Sequence, residues 1–166
     1  MTHQDLCTLV DYHYWARDRL LAAVEPLTAE QFARQLGGSF PSVRATLVHL
    51  LGAEWVWHSR WCGQSPSSLP EGEVPADLAG IRDRWLALER DVRSFVQGLG
   101  EDGIARRFSY TLFSGAAATS SLAQTIQHLV NHGSYHRGQI TTMLRQLGAA
   151  PAGPMDLIAF YREGGA

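Results

Sequence analysis

The chain has 166 residues, 45% of them apolar, and a formal net charge of −2, enough to bury one core without help from disulfides. No segment concentrates the basic residues, which argues against a dedicated nucleic-acid binder. All 14 basic residues are arginine, which excludes a catalytic lysine and Schiff-base chemistry.

Cys7 and Cys62 stand far apart and form no CxxC pair. A disulfide framework and a cysteine-based zinc site are therefore not expected, and both read as small buried hydrophobes without a role. No charged stretch followed by an apolar one opens the chain, and no apolar run reaches the roughly 18 residues of a membrane span. The expectation is one cytoplasmic domain over residues 1–166, with no membrane partner.

In chain order, Thr2-His-Gln-Asp5 has the form of a capping box with Asp in place of Glu. It opens a helix to about Val24 with an apolar stripe through Leu6, Leu9, Val10, Tyr14, Leu20 and Leu21. Thr28-Ala-Glu-Gln31 is a second capping box, opening a short helix that ends at Gly37-Gly38. Ser42 caps a long helix to about Cys62, stopped by Gly63. Residues 64–74 are rich in Ser, Pro and Gly and read as a long crossover loop. Ala76 to about Leu99 is helical, with Leu78, Ile81, Trp85, Leu88, Val92, Phe95 and Val96 at helical spacing. Arg107–Phe113 alternates polar and apolar, as a short extended piece or hairpin edge does. Thr119–Leu147 forms the last long helix, and Asp156–Tyr161 packs back onto the rest. Four long helices with one long connection predict an all-α four-helix bundle, an architecture that places metal sites between facing helices.

His128, His132 and His136 recur every fourth residue on the last long helix, so neighbours in the series share one face. His128 and His136 lie about 12 Å apart along the axis, too far to bind one ion together. His132 and His136 are nearer the core-facing stripe of Leu122, Ile126, Leu129, Gly133, Ile140, Leu144 and Leu147. A further ligand must come from another helix. His49 sits in an apolar helix, where an imidazole needs a reason. His3 and His58 read as solvated or exposed, and His13 as a partner of the ligands. The expected metal ligands are His49, His132 and His136.

Glu54 lies on the apolar stripe of its helix with Val43, Leu47, Leu50 and Trp61. It is the candidate catalytic residue, as a general base or as a partner of a metal ligand; a structural pairing with an arginine is the alternative. Arg137 is the candidate cofactor- or substrate-binding residue, suited to a carboxylate or phosphate, with a structural salt bridge as its alternative. Asn131 and Gln139 could orient a ligand. Tyr12 and Trp15 could line a pocket, and Trp55, Trp57 and Trp61 point to different sides of one helix, one of them toward a dimer surface.

The run Asn131-His-Gly-Ser-Tyr-His-Arg-Gly-Gln139 resembles the signature of the DinB family and its YfiT-like relatives. Tyr14-Trp-Ala16, Leu47-Val-His-Leu-Leu51 with Glu54, Met143–Gly148 and Asp156–Glu163 resemble other segments of that family, so the likeness covers nearly the whole chain. It implies a bundle of up-down-down-up order, often a homodimer, with one divalent ion, zinc or nickel, held by His49, His132 and His136. It places no ligand at His128. Three protein ligands leave a position open, as in catalytic metal sites. Some relatives transfer a low-molecular-weight thiol of the bacillithiol or mycothiol type, which a metal could bind there as thiolate; water in the same position would be activated toward hydroxide instead. The expectation is a metal-dependent thiol transferase or hydrolase acting on a small-molecule substrate. The alternatives are a non-enzymatic metal-binding stress- or damage-response protein, and a bundle with a purely structural histidine seam.

Overall fold

A computed structural model describes residues 1–68 and 75–165. Of the described residues 64% are helical, in seven helices beside one two-stranded sheet. The first helix, α1 (His3–Val24), starts at a reciprocal capping box. The Asp5 N–H donates to Thr2 Oγ1 at 3.1 Å, and the Thr2 N–H to Asp5 Oδ2 at 2.7 Å. A second capping box, Thr28 with Gln31, opens α2 (Ala29–Ala33). That helix stops well before Gly37, because Arg34 already leaves helical geometry with ψ at 132°. Ser42 caps α3 (Val43–Trp61) by accepting from the Ala45 N–H at 3.1 Å.

Residues 64–68 are loop, as expected; residues 69–74 of the anticipated crossover lie outside the described residues. Asp77 caps α4 (Leu78–Gln97), so this helix begins slightly later than the composition suggested. A short α5 (Gly100–Ile104), unanticipated, precedes β1 (Arg107–Thr111) and β2 (Ala117–Ser121). The strands pair antiparallel, with Phe108 opposite Ser120 and Tyr110 opposite Ala118. Gly115 turns the hairpin at φ 84°, a left-handed conformation that glycine adopts without a Cβ penalty.

Residues 119–121, expected at the start of the last helix, belong instead to β2. Ser121 then opens α6 (Leu122–Gln146) through a capping box with Gln124. The small residues of β2 carry little strand signal of their own; pairing with β1 satisfies their backbone. Last comes α7 (Leu157–Arg162).

Both α1 and α3 pack against α6 and α4. Their common core includes Leu6, Leu20, Leu47, Ile81, Trp85, Leu122, Ile126, Ile140 and Leu144, each almost wholly buried. Burial of one such side chain stabilises the fold by about 1.5–3 kcal/mol. The core-facing stripe read from the sequence of α6 is buried throughout. The tail packs back as expected: Phe160 of α7 joins Tyr12, Ala16 and Val130 in a second cluster. No helix among the described residues is long and apolar enough to cross a membrane.

Candidate metal centre

His49 lies midway along α3, facing His132 and His136, one turn apart on α6. Nε2 of His49 and Nε2 of His132 stand 3.0 Å apart. The His136 ring centroid is 4.7 Å from that of His49 and 4.5 Å from that of His132. One ligating nitrogen from each residue can be chosen so that all three lie within 4.8 Å of one another. Imidazole nitrogens that share a tetrahedral ion at about 2.0–2.1 Å stand roughly 3.3–3.4 Å apart. The donor set therefore fits a zinc-class ion with small side-chain adjustments. Among the described residues, neither a cysteine nor a carboxylate joins this cluster.

Electrostatics agree with the geometry. Burial, followed by the nearby His136, pushes His49 down to about 4. Burial, then His136, His49, His128 and His13, pushes His132 down to about 3. Both rings thus keep their lone pairs at neutral pH, the form a metal needs. His136, 5% exposed, donates from Nδ1 to Gln139 Oε1 at 2.7 Å. With the proton on Nδ1, the lone pair of a neutral imidazole sits on Nε2. Gln139 thus occupies the orienting role expected of it, whereas Asn131 is exposed on the surface of α6.

Phe40, just ahead of α3, stacks on His49 with centroids 4.0 Å apart and meets His136 edge-on at 5.5 Å. Tyr135 meets His136 from another side at 5.1 Å. Phe40 stands in a loop without periodicity, so nothing in the local sequence pointed to it. His128 is exposed and lies outside the trio, edge-on to Trp57 at 5.3 Å.

The surrounding residues depart from expectation. Glu54 is 1% exposed and pairs with no arginine. It accepts from Tyr14 Oη at 2.6 Å, Trp85 Nε1 at 2.8 Å and His13 Nε2 at 3.0 Å. Burial alone would raise its pKa, but the His13 hydrogen bond and charge, with Tyr14 and Trp85, outweigh it and hold the carboxyl below its usual value. Its oxygens face α1 and α4, with no contact to the histidine trio. Helical spacing places Tyr14 and Trp85 on apolar stripes and says nothing of the hydrogen bonds that both give to Glu54. His13 reaches Glu54 across Gly133, where a Cβ would stand 2.9 Å from His13 Cε1 and 2.8 Å from Arg137 Nη1. Glycine is needed there for α1 to approach α6.

Arg137, adjacent to His136, points to the other flank of α6 and is 3% exposed. It donates to Ser134 Oγ at 2.8 Å and Tyr12 Oη at 3.3 Å, with no carboxylate partner among the described residues. His3 is part-buried and bonds the Val96 carbonyl oxygen through Nε2 at 2.7 Å. His58 is half-buried, edge-on to Phe95 and Trp61. Cys62 is exposed and Cys7 partly so, rather than buried. Trp55, Trp57 and Trp61 are all at least partly buried. The large apolar side chains left most exposed include Tyr135, Ile158 and Phe113. Trp15, partly buried, donates from Nε1 to Glu163 at 3.3 Å.

These features define a mostly helical protein with a three-histidine cluster between two long helices, able to hold one metal ion. The chain belongs to the DinB family, whose model matches residues 1–163. It is similar to Protein DinB of Bacillus subtilis (strain 168), 27% identical over 155 residues that cover 89% of this chain and 88% of that protein. Its fold is similar to that of a DinB-like protein from Bacillus cereus ATCC 10987. The TM-score is 0.66 at 19% identity, over 85% of this chain and 91% of the other.

Proposed function

We propose that this DinB-family protein is a divalent-metal-dependent enzyme. Its four long helices form a bundle of up-down-down-up order, and His49, His132 and His136 hold one zinc or nickel ion. The reading extends to a cytoplasmic homodimer acting on a small-molecule substrate. One observation carries it: three imidazole nitrogens converge within 4.8 Å with no fourth protein ligand among the described residues, the pattern of a catalytic rather than a structural site. An ion held there lowers the pKa of a low-molecular-weight thiol, or of water, in the remaining position.

The chain's own residues prepare that position. His49 and His132 enter it without a proton to lose. Gln139 fixes the ring of His136. Phe40 places an apolar ring beside the cluster, which strengthens the electrostatic interactions inside it.

Elemental analysis of untagged protein, purified without chelator beside His132→Ala, tests the ligand set. About one equivalent of zinc or nickel is expected in the parent and none in the variant. No metal in the parent, and no uptake of zinc, nickel or manganese, would leave the histidines as a structural seam. With metal established, low-molecular-weight thiols are screened as co-substrates. His136→Ala abolishes both metal retention and turnover; turnover that survives loss of the ion refutes the mechanism.

A further inference from the structure

Arg137 is a buried cation whose hydrogen bonds reach no anion. Its Nη2 is spent on two neutral hydroxyls, Ser134 and Tyr12, and no carboxylate among the described residues pairs with it. Arg17, equally buried, takes both Asp18 and Glu89. Arg60, also without an acid, lies over the rings of Trp57, Tyr110 and Phe113, whereas Arg137 lies over the ring of Tyr12 alone, 5.4 Å from its centroid. The charge of Glu54 acts on Arg137 through space, but its oxygens are hydrogen-bonded by His13, Tyr14 and Trp85 and not by Arg137. A charge held in a protein interior without a hydrogen-bonded counter-ion is costly.

Arg137 lines a cavity of about 470 Å³ between α1, α6 and residues 152–156. That volume falls in the range of small-molecule sites. Arg137, Thr141 and Arg145 line it at positions i, i+4 and i+8, so one face of α6 sets a guanidinium, a hydroxyl and a second guanidinium in a row. Tyr12 Oη donates to the Met155 carbonyl at 2.9 Å and so holds the tail over the cavity. Asp156, exposed, is the lone acid on the wall, against two arginines. None of His49, His132 and His136 lines this space.

We propose that this cavity binds a small molecule with two oxyanion groups, a dicarboxylate or a phosphorylated acid. Arg137 takes one group in the interior and Arg145 the other at the surface. The site is independent of the metal centre: α6 presents His136 to one flank and Arg137, about 100° further round, to the other.

Isothermal titration calorimetry tests this with adipate and with inorganic pyrophosphate as probes, against sodium chloride at matched ionic strength. Saturable binding of at least one probe is expected, and the two arms tell carboxylate from phosphate recognition. Binding persists after the protein is treated with chelator, so the outcome does not depend on the metal reading. Arg145→Ala, at an exposed position, weakens binding roughly tenfold or more. Gly138 lines the cavity, and a Cβ added there meets nothing within 4 Å. Gly138→Leu therefore blocks binding without removing a charge and without straining the helix, so the test survives if Arg137→Gln fails to fold. No saturable binding of either probe up to roughly 10 mM, or binding unchanged in both Arg145→Ala and Gly138→Leu, overturns the proposal.

Discussion

Gly133→Ala tests how closely α1 and α6 are fitted together. A Cβ at this position would stand 2.8 Å from Arg137 Nη1, 2.9 Å from His13 Cε1 and 3.1 Å from His13 Nδ1. Two of these contacts are closer than a real methyl tolerates. His13 cannot swing aside cheaply, because its ring is 4% exposed and held by Glu54 at 3.0 Å. Forcing a methyl group into such packing costs about 1–3 kcal/mol. The helix-propensity gain of alanine over glycine returns about 0.8–1 kcal/mol. The net expectation is a loss of up to about 2 kcal/mol, or up to roughly 8 °C in Tm for a chain of this size. Gly138→Ala on the same helix is the control, since its Cβ meets nothing within 4 Å and should gain about 0.5–1 kcal/mol. Urea unfolding followed by far-UV circular dichroism measures both variants. If Gly133→Ala proves as stable as Gly138→Ala, α1 and α6 do not meet through His13 and Gly133 as described.

Glu54→Gln puts an amide nitrogen where a carboxylate oxygen accepts hydrogen bonds, and should cost about 2–4 kcal/mol of stability. Its metal content should equal the parent's, and a variant depleted of metal would place Glu54 at the ion after all. Acid should destabilise the chelator-treated protein in two stages. His49 and His132 have folded values of about 4 and 3 against 6.5 for the free group, so the unfolded chain takes up protons first and stability falls as pH drops below 6.5. His49→Gln should flatten this stage; a urea midpoint constant between pH 6.5 and 4.5 in the parent would refute it. Glu54, held below 4.5, contributes stability that is present above that pH and lost as pH falls through its folded value. Glu54→Gln should lack this lower stage.

Local chemistry wrote much of this protein into its sequence. The capping boxes at Thr2 and Thr28, the cap at Ser42 and the stop at Gly63 depend on neighbours within a few residues, and all were legible. The buried stripe of α6 follows from helical period alone, as does the pairing of His132 with His136. The choice of His49 rested on the cost of an imidazole in an apolar helix, and the structure brings it to 3.0 Å from His132.

Tertiary structure decided the rest. The small residues of β2 became a strand only because β1 offers their backbone partners. Phe40 reaches His49 from a loop whose course no periodicity encodes. Glu54 was visible as a buried carboxylate, but its partners come from two other helices, His13 and Tyr14 from one and Trp85 from the other. Arg137 sits beside His136 in the chain yet faces a different cavity, because consecutive residues on a helix point about 100° apart. Sequence fixes which groups share a helix face; only the packing of one helix on another fixes what each face meets.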